Sequence, residues 1–188
     1  MVEAGAHEAL ASAHRVLIGI EHLVGSANAD RLTCDGNANS LSGGLGNDTV
    51  DGGAGADTLA GGLGNDSLTG GSGADIFRFD TLPDAATNRD AISDFNVVDD
   101  TLQLENAVFS SLLSTGALAA ASFRSGGGFS SAADADHFQV GRDTDDYLIY
   151  DSSGALYYDA SGHTGAGPVQ IGSLGAGPAL TSLDFFVT

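Results

Sequence analysis

From Gly25 to Arg78 the chain holds one register through six units of nine residues. They read GSANADRLT, CDGNANSLS, GGLGNDTVD, GGAGADTLA, GGLGNDSLT and GGSGADIFR. The sixth position carries Asp30, Asn39, Asp48, Asp57, Asp66 and Asp75, and the eighth carries Leu32, Leu41, Val50, Leu59, Leu68 and Phe77. A fixed short period without a gap specifies a solenoid and overrides local propensity. Within one unit the first six residues, rich in Gly and Asn, suit a turn because both types tolerate positive φ. The last three set one apolar residue between two polar ones, which predicts a very short strand with one side chain pointing inward. A single unit buries nothing. Stacked units form a parallel sheet with an apolar ladder spaced about 4.8 Å apart.

That ladder is thin. One apolar side chain per unit does not offset the ordering of so many glycines. Two units complete one coil, so residues 18 apart in sequence lie above one another, Asp48 over Asp66 and Asp57 over Asp75. Each pair repels unless a cation lies between the turns. Two carboxylates and the carbonyls of glycine-rich turns offer oxygen only, which is the donor set of Ca²⁺ and not of a metal that prefers nitrogen or sulfur. Composition agrees. There are 6 Lys+Arg against 25 Asp+Glu, a formal charge of -19, and most of the acids are the short Asp. Such a surface disfavours nucleic acid and anionic membranes and favours cations. With calcium scarce, the same charge and low apolar content predict an unfolded segment.

The units GGLGNDTVD to GGSGADIFR, followed by DIFRFD, DAISDFN, DDTLQL and LIYDSSGALYYD, resemble the RTX (repeats-in-toxin) calcium-binding region of secreted bacterial proteins. The resemblance runs over about residues 16–188. It implies an all-β fold, a right-handed parallel β-roll capped by a C-terminal β-rich region with a hairpin, and several Ca²⁺ ions between units two apart. The two best sites it implies lie between repeats 3 and 5 and between repeats 4 and 6. The first draws on Gly44, Gly46 and Asp48 with Gly61, Leu63 and Asp66. The second draws on Gly53, Gly55 and Asp57 with Gly70, Ser72 and Asp75. The other turn positions, Gly43, Leu45, Gly52, Ala54, Gly62, Gly64, Gly71 and Gly73, complete the candidate set. Asn28 and Asn37 replace fourth-position glycines and Asn39 replaces an aspartate, so sites using Asp30 or Asn39 are expected to be weaker or empty.

The rest of the chain divides as follows. Residues 1–15 read as a linker or the tail of an upstream domain. Residues 16–79 form the roll, with repeats over 25–78, and residues 16–24 are expected as its closing strand. Residues 80–188 cap it. IFRF, AISDF and TLQL alternate as strands; Asp90, Asp94, Asp99 and Asp100 cluster there, either as solvated turn residues or as a further calcium site. Residues 107–113 fit a short helix, 124–136 a flexible loop, 143–159 a hairpin with YLIY and ALYY as its strands, and VQIGSL and LDFFVT final strands. Cys34 is a small residue at a glycine position, and Tyr147, Tyr150, Tyr157 and Tyr158 are read as cross-strand packing or, less readily, as stacking faces. No membrane span and no N-terminal signal peptide are evident.

No G-x-S-x-G, H-E-x-x-H or phosphate loop occurs, and the five histidines are dispersed, so no enzyme is expected. The tail TSLDFFVT resembles the uncleaved signal of type I secretion substrates. The resemblance therefore implies a secreted, extracellular bacterial module that folds on Ca²⁺ after export. Its implied partners are calcium, the type I apparatus and an upstream catalytic or adhesive domain. The alternative is an adhesion or polysaccharide-binding module that uses the roll or its cap.

Overall fold

The computed structural model describes residues 9–10, 15–16, 21–112, 115–126, 148–160, 168–175 and 177–188. Through the repeats the strands are β1 (Ala9–Leu10), β2 (Arg15–Val16), β3 (His22–Gly25), β4 (Arg31–Thr33), β5 (Ser40–Leu45), β6 (Thr49–Ala54), β7 (Thr58–Leu63), β8 (Ser67–Ser72) and β9 (Ile76–Phe79). Beyond them follow β10 (Asp90–Ile92), β11 (Thr101–Leu104), β12 (Gly116–Ala117), β13 (Phe123–Gly126), β14 (Leu148–Asp151), β15 (Ala155–Tyr158), β16 (Val169–Ser173) and β17 (Phe185–Val187). No α-helix occurs among the described residues.

Alternate strands go to alternate sheets, as a two-unit coil requires. One sheet runs β1-β3-β5-β7-β9-β11-β17-β12 and the other β13-β14-β15-β16-β10-β8-β6-β4-β2. Neighbouring rungs pair in parallel with Ser40 opposite Thr58 and Thr49 opposite Ser67, the predicted offset of 18. The protein is thus an all-β parallel roll.

The strands are longer than the three residues expected. β5 to β8 have six residues each, because the ladder continues through Gly44 opposite Gly62 and Leu45 opposite Leu63, and likewise through Gly53 and Gly71. Positions one to three of each unit finish the preceding strand, and the turn shrinks to positions four to six. Ladder hydrogen bonds here outweigh the low strand propensity of glycine. Each strand points two residues inward, the eighth-position residue and the next unit's first glycine, as Val50 and Gly52 do.

The apolar ladder forms as expected. Leu32, Leu41, Val50, Leu59, Leu68 and Phe77 are buried in one cluster with Leu23, Ile92, Leu102 and Phe185. Cys34 is buried among them, and burial pushes its thiol up to about 11, which leaves it inert at neutral pH. The parallel stack continues beyond the repeats: β10 pairs with β8, β11 with β9, β16 with β10 and β17 with β11, all parallel. It ends where pairing turns antiparallel, at β12 on β17 and at β15 on β16. Phe95 packs on Phe77 with ring centroids 6.0 Å apart, and Phe123 on Phe185 at 5.0 Å.

Two other expectations need correction. Residues 107–112 form hydrogen-bonded turns instead of a helix; Val108 and Phe109 both donate to the Glu105 carbonyl, and Leu112 donates to that of Phe109. The segment predicted as one strand over 16–24 holds β2, ending at Val16, and β3, beginning at His22. The loop expected over 124–136 is described only to residue 126, where it is strand β13. The hairpin forms as β14 and β15, with Leu148 opposite Tyr158 and Tyr150 opposite Leu156. Tyr150, Tyr157 and Tyr158 are buried, so they pack and offer no stacking face; Tyr147 lies outside the described residues.

Candidate metal centre

The sixth-position residues stand one above another along each side of the roll and are linked through the backbone. Asp48 Oδ1 accepts the Asp30 N–H at 2.8 Å, and Asp66 Oδ1 accepts that of Asp48 at 2.7 Å. On the other side Asp57 Oδ1 accepts from Asn39 at 2.7 Å and Asp75 Oδ1 from Asp57 at 2.9 Å. All six residues are buried. The second carboxylate oxygen behaves differently. Oδ2 of Asp48, Asp57, Asp66 and Asp75 is buried and accepts no hydrogen bond among the described residues. Four such oxygens in register are expensive unless something positive meets them.

Their surroundings show what fits. Oδ2 of Asp57 lies over Gly52 beside the Gly70 carbonyl; a Cβ on Gly52 would lie 2.6 Å from the first and 2.8 Å from the second. A Cβ on Gly43 would likewise collide with Asp48 Oδ2 and the Gly61 carbonyl. Each glycine thus keeps open a space into which a carboxylate oxygen and the first-position carbonyl of the unit two ahead both face. The geometry unites Asp48 with Gly61 and Asp66, and Asp57 with Gly70 and Asp75. The other carbonyls are partly engaged, since Leu63 O accepts from Gly46 and Ser72 O from Gly55, each at 2.9 Å. The side chains of Leu45 and Leu63 are exposed, so only their carbonyls are available as ligands. Gly44, Gly46, Gly53, Gly55, Gly62, Gly64, Gly71 and Gly73 all adopt positive φ, which holds the turns in shape. Among the described residues no group of three or more His, Cys, Asp or Glu side chains converges. Any hard cation would therefore depend on paired carboxylates plus backbone carbonyls.

The first rung differs. Asp30 Oδ2 accepts the Ser26 N–H at 2.6 Å and its hydroxyl at 2.8 Å, so this carboxylate is already satisfied.

The chain of aspartates extends past the repeats; the sequence marks Asp90, Asp94, Asp99 and Asp100 as a cluster but not the continuation of the rows through Asp90 and Asp100. Asp90 Oδ1 accepts the Asp66 N–H at 3.2 Å and Asp100 Oδ1 the Asp75 N–H at 2.9 Å. Asp94 caps the Gly70 and Gly71 N–H groups at 3.0 and 2.8 Å, and Asp99 accepts from the Asn96 amide. Asp84, nine residues past Asp75, does not join the row; its carboxylate accepts the Ala86 and Thr87 N–H groups. The available signal was the triplet of an aspartate two residues before a buried apolar residue. Asp90 precedes Ile92 and Asp100 precedes Leu102 in the phase that Asp66 keeps with Leu68.

Burial pushes Asp48 and Asp57 up to about 6, opposed by their backbone hydrogen bonds and reinforced by neighbouring carboxylates, Asp66 on the first and Asp75 on the second. Burial and then the charge of Asp66 push Asp90 up to about 8. Asp66, Asp75 and Asp100 are raised as well, burial first. The folded state thus binds protons more tightly than the unfolded chain. In calcium-free buffer its stability is greatest near pH 4 and declines as pH rises through 6 to 8. The expected result is a β-rich circular dichroism spectrum in EGTA at pH 5 that disappears by pH 8. A spectrum independent of pH across that window contradicts it.

A family model for the RTX calcium-binding nonapeptide repeat, in four copies, matches residues 18–50 and 51–81. Among solved structures, the AlgE6R2 subunit of the Azotobacter vinelandii mannuronan C5-epimerase is similar with TM-score 0.52 and 28% identity, over 86% of this chain and 89% of that one. The AlgE6R3 subunit of that epimerase matches with TM-score 0.48 and 26% identity, over 86% and 79%. Among curated proteins none matches.

Proposed function

Residues 18–81 are RTX calcium-binding nonapeptide repeats, and from that premise we propose that the chain is a calcium-gated folding module of an exported bacterial protein. The observation that carries the reading is the row of four buried Oδ2 atoms without a hydrogen bond. Bound Ca²⁺ would supply the positive charge those oxygens lack. In this reading Asp48 and Asp66, with the carbonyls of Gly44, Gly46, Gly61 and Leu63, hold one ion. Asp57 and Asp75, with those of Gly53, Gly55, Gly70 and Ser72, hold another. Asp90 and Asp100 extend the two rows by one rung each, and Asp30 and Asn39 serve at most weak sites.

The chain's own residues explain the gate. Without cations the stacked carboxylates repel and the apolar ladder is too thin to hold them, so the chain stays unfolded where calcium is scarce. Extracellular calcium modules bind at about 10⁻⁴–10⁻³ M, and binding only to the folded form stabilises it by mass action. Each aspartate serves two adjacent rungs, so filling is cooperative. Export by a type I apparatus, an extracellular destination and an upstream cargo domain belong to the same proposal, supported by the repeat family. Far-UV circular dichroism at pH 8 tests it. A cooperative transition to β structure with CaCl₂ and none with MgCl₂ is expected; a β-rich spectrum in EGTA that calcium leaves unmoved refutes it.

A second reading is a polysaccharide-binding module. The likeness to the AlgE6R2 subunit of an enzyme named for mannuronan favours it.

A further inference from the structure

Each candidate carbonyl ligand is one end of a peptide unit, and whatever holds the other end aims it. A trans peptide is planar, with its C=O and N–H pointing opposite ways, and no cis peptide occurs among the described residues. In the Asp57 site the Gly70 carbonyl faces the space over Gly52 beside Asp57 Oδ2. The N–H of that same unit belongs to Gly71 and points the other way along the stack. One rung below, Gly53 is covered by the ladder itself, which pairs it with Gly71. Above Gly71 the ladder stops, because β10 pairs with β8 only at Ser67 and Leu68. The Asp94 carboxylate takes over there. Its Oδ2 accepts the Gly71 N–H at 2.8 Å and its Oδ1 that of Gly70 at 3.0 Å.

The other side of the roll ends by the same substitution of side chain for backbone. Gly46 donates its N–H to the Leu63 carbonyl and Gly55 to that of Ser72. Gly64 holds the same position in the last repeat on its side and donates instead to Asn88 Oδ1 at 3.0 Å. Asn88 is itself fixed, since its Nδ2 donates to Thr81 Oγ1 and the Leu82 carbonyl at 3.0 and 2.6 Å.

We infer that Asp94 is a positioning residue for the calcium site of Asp57 and Asp75. Its side chain is not a ligand; it holds the outer end of the peptide unit whose carbonyl, Gly70, is one. A residue outside the repeats thus supplies the anchor that a further repeat would have supplied. A carboxylate on the N–H also polarises the unit and makes its oxygen a stronger donor to a cation. The inference rests on the calcium reading above.

The test is a pair of circular dichroism titrations of the full chain, one with CaCl₂ and one with SrCl₂, whose cation is larger and equally charged. Asp94 is exposed, so Asp94→Ala opens no cavity. It is expected to raise the calcium midpoint about tenfold, as loss of an outer partner of a metal ligand does. It also changes the ratio of the strontium to the calcium midpoint about threefold or more, because the carbonyl cage sets which ion fits. Asp94→Asn, which keeps one acceptor, falls between. Ile92→Val, at a core residue 2% exposed, destabilises the same region without touching the anchor; it raises both midpoints alike and leaves the ratio unchanged. Unchanged midpoints in Asp94→Ala, or both raised in the original ratio, overturn the inference and leave Asp94 a cap on a strand edge. Loss of one bound calcium at saturation, counted by equilibrium dialysis, overturns it too, since Asp94 would then be a ligand. In those cases the calcium reading stands; if the unaltered chain responds to neither ion, that reading falls and the inference with it.

Discussion

Asp66→Ala raises the calcium concentration at the folding midpoint about tenfold or more, whereas Asp30→Ala raises it about threefold or less. Asp66 sits mid-row. Its Oδ1 takes the Asp48 N–H, its own N–H goes to Asp90, and its Oδ2 is one of the unmatched oxygens. Alanine removes a carboxylate from two rungs and leaves a buried N–H without an acceptor, which costs about 1–3 kcal/mol by itself. Asp30 ends the row, and Ser26 already satisfies its Oδ2. Paired calcium titrations by circular dichroism check this, and equal midpoints would remove the basis of the site assignment.

Gly62→Ala should prevent the roll from forming even in saturating calcium, while Gly36→Ala leaves the midpoint nearly unchanged. Gly62 has φ 98°, and a Cβ there would collide with the Gly44 carbonyl of the rung beneath. The backbone conformation alone costs a residue with a Cβ about 1–3 kcal/mol, and the collision adds to it because the atom struck is backbone. Gly36 has an ordinary φ, and its Cβ would meet only the Ala54 methyl at 3.8 Å. The two variants differ by one methyl group in position, so a shared phenotype would mean that glycine content, not glycine placement, governs folding.

The legible part of the molecule was the part with a period. Asp48, Asp57, Asp66 and Asp75 were readable because each repeats the environment of the one 18 residues away, so one local rule determines the whole stack. Asp90 and Asp100 were visible as acids, but their place in the rows was hidden because insertions stretch the spacing to 24 and 25 residues, although the aspartate-to-apolar triplet survives. Six-residue strands were missed because glycine reads as turn, and only the neighbouring rungs make Gly44 or Gly53 extended. The place of β16 beside β10 rests on a contact between Asp90 and Gly172, far apart in sequence, for which no local signal exists.

The aspartate rows have a direction. Every carboxylate accepts its backbone N–H from a rung earlier in the chain, from Asp30 to Asp48, Asp66 and Asp90. The ladder answers in the opposite sense, with Thr49 donating to the Asp30 carbonyl and Ser67 to that of Asp48. Each junction between rungs is therefore tied by bonds of both polarities, and bond direction sets no order of closure. A rung disturbed in the middle of a row breaks two such junctions, whereas one at the end breaks a single junction.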